Sequence, residues 1–279
     1  MPNFDAYFGR IGYKGPREPT LDVLNRIIRG HACSIPFENI DVLLGHDIKL
    51  DPGAVEEKLI RQGRGGYCFE QNGLLLSMLS ALGFRATPVA ARVGFQVPRD
   101  LVPPRTHVFL RLEIEGVPWL ADVGIGGFSP PCAIQLDHDG EQEAGLEPRR
   151  IVRDGYRWFH QIRIGEEWSD LCQFTGEEMP LTDRELANWW TSTNPDSKFR
   201  QNLMVARAEP DGARKTIQNR EFTHRRGALV LEKREIRSED EMLSVLTRHF
   251  DLNLPSGVKL SAPNLRWADF EPKDAAGWP

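Results

Sequence analysis

The sequence predicts an α+β fold, and three observations carry that prediction. Apolar residues in the first third recur at helical spacing. From about Phe84 the chain changes to short β-like runs separated by prolines, glycines and charge clusters. The last part mixes a strand-like run with a helix, so the order is helices, then strands, then both, without the alternation of βαβ units.

Each element has its own signal. Thr20 caps a helix whose apolar residues Leu21, Leu24, Ile27 and Ile28 lie on one face and which must stop before Pro36. A second helix starts at "DPGAVEEKLIRQG", with Asp51 as cap, Pro52 at the first helical position and Gly63 past the end. The third begins close to Cys68; Leu74, Leu75, Met78, Leu79 and Leu82 form its stripe and Gly83 closes it. The runs "ATPVAARV", "THVFLRLEI", "VPWLADVGI" and "RWFHQIRI" read as strands of a meander or small barrel. Residues 137–150, "DHDGEQEAGLEPRR", read as a long surface loop. "DRELANWWTSTNPDSKF" reads as a helical connector ending near Asn194-Pro195. "ALVLEKREI" reads as a strand, and a helix opens after it with Ser238 and Glu241 spaced as a capping box.

Composition narrows the function. With 279 residues, 40% hydrophobic and 27% charged, the chain has the make-up of a folded soluble protein and enough length for a sizeable core. A net charge of −5 argues against a nucleic-acid binder. The first residues lack the basic start and apolar run of a secretory signal, and the apolar stretch 74–82 is too short to span a bilayer, so no membrane association and a cytoplasmic location are expected. Cys33, Cys68, Cys132 and Cys172 show no C-x-x-C spacing and read as free thiols. The seven histidines form no ligand pattern, so no metal is expected.

The stretch "RGGYCFEQNG" places a thiol after a glycine pair and at a helix start. Cys68 there is a buried structural cysteine, half of a metal or disulfide site, or a nucleophile whose thiolate the helix dipole favours. His107 opens the run "THVFLRLEI", and Asp122 lies near the far end of "VPWLADVGI". If the two runs form a hairpin about Glu115-Gly116, positions 107 and 122 face one another almost directly, close enough for a carboxylate to hold an imidazole. Taken singly, His107 and Asp122 read as a structural histidine and a turn residue. Together with Cys68 they compose a Cys-His-Asp triad.

"RGGYCFEQNGLL" resembles the signature of the arylamine N-acetyltransferases. The likeness extends through "YFGRIGY", "IPFENIDVLLG", "THVFL", "ADVGIGGFSPPCAI" and "NWWTSTNPDSKF", in family order, from about residue 4 to about 250. It implies Cys68, His107 and Asp122 as the catalytic residues and a papain-like arrangement of helical bundle, β-barrel and α/β lid. The expected spans are a bundle at 1–84 carrying the cysteine, a barrel at 85–187 carrying the histidine and aspartate, a connector at 188–204 and a lid at 205–279. The implied reaction is acetyl transfer from acetyl-CoA, as cosubstrate, to an arylamine or arylhydrazine through an acetyl-cysteine. By the same resemblance Phe37, Val93 and Ile125 line the acceptor pocket, while Gly126, Gly127 and Phe199 lie on the CoA side. Ile125 departs from the bulky aromatic or small polar residue common there, and Cys172 stands where a tyrosine is common; packing is the role expected of it.

An ion pair between Arg64 and Glu38 is expected to brace the loop that presents Cys68. Three other readings keep the same residues: a carrier-dependent amide synthase of the same superfamily, a cysteine peptidase or transglutaminase-like enzyme, and an inactive binding protein that retains the fold. The local signature of papain-type peptidases is absent from "GGYCFEQN".

Overall fold

A computed structural model describes residues 2–255 and 257–267. The first part is helical: α1 (Phe4–Ile11), α2 (Leu21–Ser34), the short strand β1 (Phe37–Glu38), α3 (Ile40–Leu43), α4 (Pro52–Glu56) and α5 (Cys68–Ala81). Thr20 Oγ1 accepts the Val23 N–H at 3.4 Å and Asp51 Oδ1 accepts the Ala54 N–H at 3.0 Å, so both expected caps operate. The helix after Asp51 changes character and continues from α4 as a π turn over Glu57–Arg61. The apolar faces of α1, α2 and α5 close on one core that includes Leu24, Ile28, Leu75 and Leu79.

The middle of the chain supplies β2 (Ala86–Val93), β3 (His107–Ile114), β4 (Val117–Ala121), β5 (Ile134–Gln135), β6 (Arg149–Asp154), β7 (Arg157–Ile164) and β8 (Glu167–Glu178). They form one antiparallel sheet in the order β5-β4-β3-β2-β8-β7-β6. Gln142 nearly closes it into a barrel. Its backbone pairs with Arg149 at the β6 edge, and its side-chain amide exchanges two hydrogen bonds of 2.8 Å with the backbone of Gln135 at the β5 edge. The stretch 137–150 is therefore not simply a surface loop: Ala144, Glu147 and Arg149 are buried within or against the barrel.

The chain then runs through α6 (Leu181–Thr193), α7 (Lys198–Gln201), β9 (Met204–Ala208), β10 (Arg214–Gln218), β11 (Glu221–Arg226), β12 (Leu229–Glu235) and α8 (Glu239–Phe250). α6 starts just after Pro180, ahead of residue 188, so this helix crosses the expected boundary between barrel and connector. The second sheet has the order β1-β9-β10-β11-β12, with Phe37 paired to Ala206. A strand from the helical part thus belongs to the sheet of the last part, which brings Phe37 beside it. The segment 268–279 of the expected lid lies outside the described residues. Among the described residues, no helix is long and apolar enough to cross a membrane.

Candidate active site

Cys68 is the first residue of α5, where leading N–H groups have no intrahelical acceptor and the positive end of the helix dipole is presented. The residue is buried, and its thiol lies 3.6 Å from the carbonyl oxygen of Thr106. Thr106 directly precedes His107, so the nucleophile candidate and the start of β3 are in contact.

Glu115 and Gly116, both at positive φ, form the two-residue turn that pairs Ile114 with Val117. This register sets Leu110 opposite Ala121, and His107 therefore lies diagonal to Asp122, not opposite it as expected. Diagonal residues share a sheet face and stand roughly 7–8 Å apart, within reach of long side chains. The imidazole bridges that gap, with Nε2 at 2.7 Å from Asp122 Oδ2, both groups buried. Nδ1 is then the edge left to hydrogen-bond Cys68.

Burial opposes a charge on His107, but the Asp122 carboxylate, its hydrogen bond and the Cys68 contact outweigh it and push the pKa up to about 10. Burial also opposes a charge on Asp122; there His107, Asn72 and the Gly124 N–H prevail and hold the carboxyl below its ordinary range. The imidazole is thus held by a buried carboxylate on one edge and faces the Cys68 thiol with the other.

Asn72 holds the carboxylate in place. Its Nδ2 donates to Asp122 Oδ1 at 2.9 Å and to the Val108 carbonyl at 2.7 Å, and its Oδ1 accepts the Val123 N–H at 3.1 Å. Asp122 Oδ1 also accepts the Gly124 N–H at 2.8 Å. Gly124 permits this closeness, since a Cβ there would lie 2.7 Å from Cys68 Cα. Neither Asn72 nor Gly124 was singled out from sequence. Asn72 carries a usable signal, because residues four apart on a helix share a face with Cys68.

The loop before Cys68 is braced by a network of charges around the buried carboxylates Glu38 and Glu70. Arg64 pairs with Glu38 at 2.9 Å and with Asp41 at 3.1 Å, as expected for the first of these, and Lys58 pairs with Asp41 at 2.7 Å and Glu70 at 2.6 Å. Glu70 in turn accepts the Tyr67 N–H at 3.0 Å, fixing the entry to α5. Gly65 and Gly66 are packed so closely that added methyl groups would meet Pro36 O at 2.1 Å and the Glu70 carboxylate at 2.6 Å.

The expected pocket residues divide into two groups. Phe37 and Phe199 have ring centroids 6.1 Å apart and share an apolar cluster with Tyr67 and Cys68, while Gly126 lies against the Phe37 ring. Gly127 faces Thr216 of β10. Val93 and Ile125 lie elsewhere. Val93 ends β2 beside Cys172, 38% exposed, and Ile125 packs with the barrel cluster of Phe109 and Cys172. Cys172 is fully buried, and burial pushes its thiol well above the usual range, in keeping with packing. Among the described residues no group of three or more His, Cys, Asp or Glu side chains could hold a metal ion.

Residues 20–258 match a family model described as N-acetyltransferase. The chain is 36% identical to arylamine N-acetyltransferase of Escherichia coli K12 over 253 residues, covering 91% of this chain and 90% of that protein. It is 37% identical to arylamine N-acetyltransferase of Mycobacterium tuberculosis H37Rv over 254 residues, covering 89% of each. Among solved structures, arylamine N-acetyltransferase from Salmonella typhimurium superposes with a TM-score of 0.86 at 35% identity, covering 90% of this chain and 92% of that one. The Mycobacterium marinum arylamine N-acetyltransferase in complex with CoA gives 0.85 at 34% identity, covering 89% of this chain and 92% of that one.

Proposed function

The chain belongs to the arylamine N-acetyltransferase family, and from that premise we propose that it moves the acetyl group of acetyl-CoA to the nitrogen of an arylamine or arylhydrazine through an acetyl-Cys68 thioester. The observation that carries the assignment of roles is the 2.7 Å pair of His107 with Asp122 beside a cysteine at a helix start.

In the first half-reaction the Cys68 thiolate attacks the acetyl carbonyl carbon, and the C–S bond to CoA breaks as the tetrahedral intermediate collapses. His107 gives its proton to the departing CoA sulfur. The Cys68 backbone N–H, without an intrahelical acceptor, is the donor suited to the developing oxyanion. In the second half-reaction the amine nitrogen attacks acetyl-Cys68, neutral His107 takes its proton, and the Cys68 thiolate leaves. Asp122 fixes the imidazole orientation and balances its charge in both steps.

Gly126, Gly127 and Phe199 are proposed on the donor side of Sγ and Phe37, Val93 and Ile125 on the acceptor side, with the Phe37 ring, packed against Phe199 and Gly126, at the boundary between the two. Cys33, Cys68, Cys132 and Cys172 are all free, in keeping with a reducing compartment such as the cytoplasm, the location proposed. Neither nucleic acid nor membrane is a proposed partner.

Intact-protein mass spectrometry tests the proposal. Incubation with acetyl-CoA and no acceptor is expected to add one acetyl group to the wild type and none to Cys68→Ala, and an arylamine or arylhydrazine should discharge it. An unmodified wild-type mass, or an adduct that survives in Cys68→Ala, overturns the route.

A further inference from the structure

We propose that Arg214 is a positioning residue for the acyl donor, holding the Gly126–Phe128 turn from the second sheet while Arg149 holds the same turn from the barrel. The proposal rests on the reading above that this turn lies on the donor side of Sγ.

The turn follows Asp122 and Gly124 closely in the chain and forms one 3-10 turn, with Gly126 at φ 70° against the Phe37 ring. Because Gly124 already lies on Cys68 and Phe37 shares the apolar cluster of Cys68, the turn borders the approach to Sγ. Two successive carbonyls of the turn are taken by guanidinium groups from two different sheets. Gly127 O accepts from Arg214 Nη1, and Phe128 O accepts from Arg149 Nη2 at 2.8 Å. Arg214 Nη2 pairs with Glu147, a carboxylate from the 137–150 stretch that is itself buried.

Two buried cations placed this close are costly to desolvate, with Arg149 wholly buried and Arg214 nearly so. Burial and the neighbouring Arg214 charge push the pKa of Arg149 down to about 9. What the guanidiniums supply that apolar side chains cannot is directed donors to the two carbonyls. Arg214 belongs to β10 and Glu147 to the stretch before β6, so their pair ties the second sheet to the barrel across the turn. The position of the turn against Phe37 is thereby set by Arg214, although no atom of Arg214 enters the chemistry.

The test separates this role from plain stabilisation. Arg214→Met alone strands Glu147 as a buried unpaired charge, whereas Arg214→Met with Glu147→Met removes both charges and keeps the volume. In the double variant the melting temperature is expected to stay near wild type, while KM for acetyl-CoA in acetyl-enzyme formation rises by about tenfold. Alkylation of Cys68 by iodoacetamide, with its pH profile, is expected to be unchanged. Amide hydrogen exchange at residues 126–129 should quicken. Arg214→Lys, which keeps the charge pair but loses the planar fork, is expected to raise KM in the same direction and serves if the double variant does not fold. An unchanged KM, or a loss of alkylation equal to the loss of acetylation, overturns the proposal. If the wild type itself takes no acetyl group, the donor reading has failed. The exchange rates then decide the clamp alone: faster exchange upholds it and unchanged exchange refutes it.

Discussion

Asn72 donates from its side-chain amide to Asp122 Oδ1 at 2.9 Å, one helical turn beyond Cys68 on the same helix. The oxygen facing His107 is the other one, so Asn72 fixes the carboxylate without competing for the imidazole. Asn72→Ala leaves Oδ1 with the Gly124 N–H and strands the Val123 N–H. The rate of acetyl-enzyme formation should fall on the order of 10- to 100-fold, as for a small misplacement of a catalytic group. Single-turnover mass spectrometry checks it, and a wild-type rate in the variant refutes the role.

The His107–Asp122 pair links stability to pH. The imidazole pKa is raised from 6.5 to about 10, so its contribution is fully present below pH 6.5 and is lost as pH rises toward 10. The Asp122 carboxyl is lowered from 3.8, so its contribution is present above that value and is lost as pH falls below it. Urea unfolding of wild type and His107→Gln should therefore differ most between about pH 4 and 6.5, and the gap should close by about pH 10. A gap that widens with rising pH contradicts the charged imidazole.

Arg64 is the next test. It is the cation for Glu38 and one of the two cations beside Asp41, and the Glu38 side chain is wholly buried. Arg64→Gln leaves that carboxylate unpaired, and removing one partner of a buried pair costs roughly 3–5 kcal/mol. Reduced soluble yield and a lower melting temperature are expected; an unchanged melting temperature refutes the brace.

Much of this architecture was legible in the residues. Thr20, Asp51 and Ser238 act as the caps that their types announced, and the strand at 86–93 has the expected limits. Cys68, His107 and Asp122 are identifiable by residue type and spacing, and the turn at Glu115-Gly116 already implies the diagonal register, since His107 stands two residues further from it than Asp122 does. α1 went unread because it is only eight residues long and depends on contacts such as Phe8 with Tyr13. Glu147 and Arg149 were hidden for a different reason: a polar stretch reads as solvent-facing, and only the folded partners Arg214 and Phe128 O make burial tolerable.

Gly124 gives the sharpest geometric test. A methyl group there would lie 2.7 Å from Cys68 Cα and 2.6 Å from Asn72 Nδ2, both fixed by the start of α5. Neither neighbour is the free end of a flexible chain, so the segment following Asp122 must move away from the helix. Gly124→Ala should then fold with a modest loss of melting temperature and lose acetyl-enzyme formation by roughly 100-fold, the scale of a displacement near 1 Å. Gly73 provides the control on the same helix. A Cβ at that position meets nothing within 4 Å, and an alanine in a helix interior is favoured over glycine by roughly 0.5–1 kcal/mol. Gly73→Ala is therefore expected to raise the melting temperature slightly and keep the wild-type rate. Equal rates in the two variants would mean that the contact between the Asp122 segment and Cys68 is not what aligns the site; a loss confined to Gly124→Ala identifies the absent side chain as a requirement of the chemistry.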